Sequence, residues 1–315
     1  MNLKLDQQTY WLVGGVIVLL VVSSLIGWVL SFRVKDDKGR ATVQNLNARI
    51  RAWWLMVAVF GVAMATGGIG SVILFSLTSF MALREFITLT PTRVGDHRTL
   101  FWVFFVILPL QYYLVAIKWY GLYSILIPIY AFLFIPIRNA IAGDCQNFLE
   151  RTAKIQWALM VCVYCVSYVP ALLSLRIAGY EGQNGKLMFY FVLVVQISDV
   201  LQYVWGKMFG RHKIAPTVSP SKTWAGFIGG IASATLIGAA LWWATPFTPL
   251  QSAGMSLLIT LMGFAGGLVM SAIKRDRGVK DYGSMIEGHG GMMDRIDSLC
   301  FAAPVFFHLT RYYFT

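Results

Sequence analysis

The chain has 315 residues, of which 57% are hydrophobic and only 13% charged, against about 25% charged in an ordinary soluble domain. This excludes a soluble globular protein and indicates an all-α polytopic membrane protein. The formal charge of +12 does not point to nucleic acid, because the Lys and Arg residues stand in short connections between apolar runs, where the positive-inside bias places them.

A helix needs about 20 apolar residues to cross the roughly 30 Å hydrocarbon core, and fewer where it packs among others. Ten runs qualify, at about 11–32, 52–66, 69–86, 99–117, 120–137, 155–175, 187–206, 224–245, 251–273 and 298–314. The second and third form one stretch too long for a single span, and the glycine-rich Thr66–Gly70 predicts the break. The first run is too long for a cleavable signal peptide and lacks its small-residue cleavage pattern. Alternate connections hold 21 of the 26 Lys and Arg residues, and the remaining connections and both termini hold 5. The basic connections are therefore expected in the cytosol, with both termini outside it. In a bacterium that means the inner membrane. Residues 1–51, a first span with a basic cytosolic loop, read as an addition to a membrane body over 52–315. Cys162 and Cys165 lie in an apolar run without partner ligands, and with Cys145 and Cys300 they read as free thiols.

The seventh run carries Asp199. An aspartate at the bilayer centre costs about 2.5 to 3.5 kcal/mol on insertion scales, so it must face protein or a wet cavity. Gln196, Asp199, Gln202, Tyr203 and Gly206 share a helical stripe that leads to Lys207, Arg211, His212 and Lys213. A functional cleft fits this pattern, and so does a polar seam between helices. Next, in "SPSKTWAGFIGG", Ser219 before Pro220 reads as an N-cap with proline at the first helical position. Lys222 then stands where a capping box would place an acid. A cation there opposes the helix dipole unless an anion binds between them, so free amides with Lys222 would cradle a phosphate; a plain helix start is the alternative. Gly226, Gly229 and Gly230 allow neighbouring helices to approach closely.

Residues 271–297, "SAIKRDRGVKDYGSMIEGHGGMMDRID", concentrate charge in an otherwise apolar chain. Lys274, Arg275, Arg277, Lys280 and Arg295 can neutralise phosphates, while Asp281, Asp294 and Asp297 can hold the divalent cation that such phosphates need. Asp294 and Asp297 share a helix face if the last span begins near Asp294, where the dipole also favours acids. The glycines of Gly288–Gly291 let amides approach an anion, and His289 can donate to a phosphate oxygen.

These residues resemble the phosphatidate cytidylyltransferases, or CDP-diacylglycerol synthases. The family signature is matched by Ser271, Lys274, Arg275, Lys280, Asp281, His289, Gly290, Gly291, Asp294, Arg295 and Asp297. Upstream, Asp199, Gly206, Lys207 and Ser219–Gly230 match an intramembrane Asp, a Gly-Lys pair and an "SPxKTWxGFxGG" segment. The likeness is strong from about Asp199 onward and is one of hydropathy over 52–198. It implies that CTP and phosphatidate, or another lipid phosphate, give a CDP-lipid and pyrophosphate. The lipid phosphate attacks the α-phosphorus, so positioning and charge neutralisation do the work.

On this resemblance Lys280, Asp281, His289, Asp294, Arg295 and Asp297 are the expected catalytic residues. Asp199, Lys207, Ser219, Lys222, Thr223, Ser271, Lys274, Arg275, Gly290 and Gly291 would bind substrate. Magnesium is the implied cofactor, with Asp294, Asp281 and Glu287 as candidate ligands and room for a second, monovalent cation. Membrane lipids and a second copy of the chain are the implied partners. Two departures mark a variant member. The family carries a metal-binding Asp four residues before the signature serine, where this chain has Gly267, and Glu287 stands where a proline or small residue precedes the "GHGG" turn. Glu287 could supply the missing oxygen, or the site could be a ligand short. The alternative functions are a catalytically weak or silent paralogue that binds lipid phosphate and, less favoured by the dense charged loop, a transporter.

Overall fold

A computed structural model describes residues 6–34, 36–285 and 290–315. Ten helices answer the ten apolar runs: α1 (Gln7–Arg33), α2 (Asp37–Ala65), α3 (Gly67–Thr88), α4 (Val94–Ala116), α5 (Tyr120–Ile141), α6 (Phe148–Ser174), α7 (Asn184–Phe209), α8 (Trp224–Ala240), α9 (Pro249–Asp276) and α10 (Met293–Phe314). Eight are long and apolar enough to cross a membrane, whereas α8 has only 17 residues and α10 carries Asp294, Arg295 and Asp297 in its first turns. Most connections are short, so successive helices run antiparallel and the basic connections gather at one end of the bundle.

Three local features differ from the hydropathy pattern. First, α2 begins at Asp37 rather than near residue 52, because the Asp36 side chain caps it by accepting from the Gly39 amide at 2.9 Å. The break after α2 falls at Thr66, where Gly67 has φ +80°, a conformation open to glycine. Second, α4, α5 and α6 each contain a π-helical turn, at Val103–Ile107, Leu126–Ala131 and Met160–Cys165. In α4 and α5 a proline, Pro109 or Pro128, stands beside or within the wide turn, where its missing N–H releases a carbonyl.

Third, Ser219 is not a helix cap. Ser219–Thr223 forms β2, paired antiparallel with β1 (Lys213–Ala215), and this hairpin is the β structure among the described residues. Thr223 is the N-cap of α8, its Oγ1 accepting from the Gly226 amide at 3.1 Å. Lys222 therefore projects from a strand and not from a first helical turn. The start of α8 is set by its contact with α7: a Cβ on Gly230 would lie 2.6 Å from the Gln202 backbone nitrogen, so only glycine lets the two backbones meet.

The core lies where α6, α7 and α10 cross. Tyr168, Phe191, Phe306 and Phe307 are fully buried, and Phe191 stacks on Phe306 at 5.1 Å. At the end away from the basic connections, Asp6 caps α1 and pairs with Lys186 of α7 at 2.7 Å, fastening the first helix to the body. Burial lifts the Asp6 pKa, but hydrogen bonds from Lys186 and Thr9 outweigh it and bring it to about 2. The four cysteines are free, with Cys162 and Cys300 buried, Cys165 partly so and Cys145 exposed.

At the basic end, Arg151 of α6 donates to both oxygens of Asp96 at 2.6 to 3.1 Å and also meets Asp144, with Arg151 5% and Asp96 1% exposed. Removing one partner of such a pair leaves a buried charge uncompensated, at about 3 to 5 kcal/mol. Arg151→Met is expected to lower stability by about that amount in chemical denaturation of the detergent-solubilised protein, whereas Arg93→Met, at the half-exposed edge of the same network, should cost less than about 1 kcal/mol.

Candidate active site

The polar groups of α7, β2, α9 and α10 meet at the basic end, on a support built by two carboxylates. Asp294, 6% exposed, receives Lys274 Nζ on Oδ1 at 2.7 Å and the amides of Tyr282 and Gly291 on Oδ2 at 2.8 and 2.9 Å. Gly290 beside it has φ +79°, and a Cβ there would stand 2.8 Å from Asp294 Oδ2, so the turn needs glycine on both counts. The second carboxylate, Glu85 of α3, accepts from the Met292 and Met293 amides at 2.9 and 2.8 Å. It satisfies orphan donors at the start of α10 from another helix, where its charge also suits the dipole. The amides expected to meet an anion at Gly291 and just after it are thus already held by protein carboxylates.

On this support stands a group of four charged side chains. Asp199 Oδ1 accepts from Ser298 Oγ at 2.9 Å, and the carboxylate also feels the charges of Asp297, Lys222 and Arg295. Asp297 Oδ1 accepts from the Ser298 amide at 2.8 Å. Arg295 has a buried Nε with no hydrogen-bond partner among the described residues. The Lys222 ammonium lies 4.4 Å from the centre of the Phe264 ring and makes no hydrogen bond or ion pair with another described residue. Burial pushes the Lys222 pKa below the ordinary lysine value, against the pull of Asp199 and Asp297, and Lys274 adds to the depression. Two carboxylates and two cations thus face one another with unused hydrogen-bonding capacity, which suits a phosphoryl group.

The remaining sequence candidates fall into two sets. Thr223 caps α8, Ser271 Oγ donates back to the Gly267 carbonyl at 2.7 Å, and Ser219 is a buried residue of the hairpin itself. Arg275 donates to the Val218 carbonyl at 3.3 Å and to the Val279 carbonyl at 3.1 Å, tying the hairpin to the loop after α9. By contrast Lys207, Lys280 and Asp281 are exposed, and Tyr203 turns out of its expected stripe. His289 and Glu287 lie outside the described residues. Sequence reasoning missed Glu85, whose signal was an acid within the apolar run of α3, and also Ser298 and Phe264, which carry no charge to mark them.

A divalent ion held by Asp294 and a neighbour at 267 does not fit these residues. Both Asp294 oxygens already accept from Lys274, Tyr282 and Gly291. Position 267 has no side chain, and a Cβ there would point at the Lys222 ammonium, 3.0 Å away. Among the described residues no three His, Cys, Asp or Glu side chains gather as a metal cluster.

The sequence profile of the cytidylyltransferase family matches residues 47–313. The chain belongs to that family. It is 38% identical over 299 residues to the uncharacterized protein YnbB of Escherichia coli K12, covering 93% of this chain and 95% of that protein. It is 28% identical over 259 residues to a phosphatidate cytidylyltransferase of Staphylococcus aureus, covering 80% and 94%. A phosphatidate cytidylyltransferase of Mycobacterium bovis is 38% identical over 141 residues, covering 44% and 45%. The likeness to YnbB spans more residues than the family profile does, so it reaches into the α1–α2 hairpin of this cytidylyltransferase-family protein.

Glu85→Ala leaves two amides at the start of α10 without their acceptor, at about 1 to 3 kcal/mol for each buried group. Hydrogen exchange at Met292 and Met293, followed by mass spectrometry, is expected to quicken about tenfold or more. Glu85→Gln keeps one acceptor oxygen and should fall between.

Proposed function

We propose that this protein is a phosphatidate cytidylyltransferase that makes CDP-diacylglycerol, or a related CDP-lipid, and pyrophosphate from CTP and a lipid phosphate. The observation that carries the reading is the convergence of Asp199, Lys222, Arg295 and Asp297 at one end of the bundle, within the stretch that matches the family. A phosphate oxygen of the lipid attacks the α-phosphorus of CTP. The new P–O bond forms as the α–β bridging bond breaks, and pyrophosphate leaves with the bonding pair. No protein nucleophile is needed, which suits a site of cations and carboxylates.

In this reading Lys222 and Arg295 hold phosphoryl oxygens, and Asp199 and Asp297 act on both cations through their charge. Lys207 and Lys280, exposed at the rim, draw the nucleotide by long-range attraction. The charge bias of the connections supports a cytosolic location for this end, where the soluble nucleotide would meet a lipid of the adjoining leaflet. Gly267 favours a second reading, a paralogue that binds the lipid phosphate without turning it over.

Purified protein given labelled CTP and phosphatidate should form labelled CDP-diacylglycerol and release pyrophosphate. Binding of both substrates without product would select the second reading. Within the first, Arg295→Gln and Asp297→Asn are expected to lower kcat about 100-fold or more, and Lys207→Gln less than about tenfold. Topology has its own measurement. In intact cells a cysteine placed at Arg40 in a cysteine-free background should resist an impermeant reagent, and one at the exposed Thr248 should react. The reverse pattern would put the site on the wrong side for CTP.

A further inference from the structure

Gly267 lies on α9 one turn before Ser271, facing β2 and α10. A Cβ built there would stand 3.0 Å from Lys222 Nζ, 3.6 Å from Ser298 Oγ and 3.8 Å from Asp297 Oδ2. The place of the missing side chain is therefore a polar corner of the site. The Lys222 ammonium forms one wall, resting on the Phe264 ring at 4.4 Å. An acid at 267 would close on that ammonium and occupy it. With glycine there, the three N–H donors of Lys222 have no described acceptor, and the buried Arg295 Nε is also unpartnered among the described residues.

Charge balance gives this geometry a direction. By formal charge Asp199 and Asp297 are matched by Lys222 and Arg295, while Lys274, which also acts on Asp297, is taken up by Asp294. A third acid would tip the corner negative, and a phosphate could then enter only with an added cation. Glycine leaves the corner balanced and its donors free.

We propose that glycine at 267 and the unpaired Lys222 are two sides of one exchange: Lys222 binds a phosphoryl oxygen directly at this corner, which holds the anion without a divalent cation. The inference rests on the phosphoryl-transfer reading for the kind of anion. That anion is a phosphate of either the nucleotide or the lipid headgroup, and the arms of the test separate the two.

The test is calorimetric binding to the full-length protein in neutral detergent. Inorganic pyrophosphate represents the nucleotide and a short-chain phosphatidate the lipid, each titrated in EDTA and in magnesium. The wild-type protein is expected to bind at least one of them in EDTA with a Kd within about threefold of its magnesium value, about 0.65 kcal/mol. The ligand that does so names the source. Lys222→Met should weaken that binding about tenfold or more in both buffers, with Lys222→Arg recovering part of it. Gly267→Asp should weaken it about tenfold or more in EDTA and regain it in magnesium. Wild-type binding that appears only with magnesium, no binding of either ligand, or Gly267→Asp matching the wild type in EDTA would each overturn the proposal. Should Gly267→Asp fail to fold, the wild-type comparison and the Lys222 pair decide alone. Because binding is read rather than turnover, a protein that binds without magnesium yet makes no CDP-lipid refutes the proposed activity and leaves this inference standing.

Discussion

The Asp294 carboxylate draws the ammonium of Lys274 and the amides of Tyr282 and Gly291 onto two oxygens. Each bond is charge-assisted, and burial makes each stronger than it would be in water. Through them the end of α9, Tyr282, Gly291 and the first turn of α10 are held together, with Glu85 of α3 locking the next two amides. Arg295 and Asp297 follow Asp294 by one and three residues, so their aim toward Asp199 and Lys222 is inherited from this knot. A carboxylate engaged in this way positions the charged residues that follow it in the chain.

Most of the helical plan was legible in the sequence because lipid imposes one demand, long apolar runs with self-satisfied backbones. The break at Thr66 was legible too, since glycines mark it. The early start of α2 was not, because its first turns are polar and carry no hydropathy signal; the Asp36 cap decides it. Ser219 misled for a different reason. A serine followed by proline satisfies the local rule for a helix start, and Pro220 is equally at home on a short strand edge. What chose Thr223 instead was the contact of α8 with α7 at Gly226 and Gly230, a tertiary fact that no window of residues contains.

The site divides in a similar way. Asp199 was conspicuous as an acid in an apolar run, Lys222 as a cation where a capping box places an acid, and Arg295 and Asp297 as members of the charged stretch 271–297; all four meet. Asp294 was conspicuous as well, but its sequence neighbours said nothing of Lys274, 20 residues away, as its partner. Glu85 stayed hidden because an acid near a span end also reads as a simple exit to water. Period and composition report which side chains are costly to bury, and only the packed chain reports which costs cancel.

The length of α8 has a consequence for the lipid itself. Seventeen residues rise about 25 Å at 1.5 Å each, less than the roughly 30 Å of hydrocarbon that surrounds the longer helices. Such a mismatch is met by local thinning of the bilayer or by sinking the polar end of the helix. Thinning would bring the hairpin that precedes α8 to the level of the headgroups. A phospholipid beside α8 would then present its phosphate at the height of the Lys222 strand while both acyl chains stay in the membrane. Under the proposed activity such a lipid would need no extraction from the membrane, a consequence of the shortness of one helix.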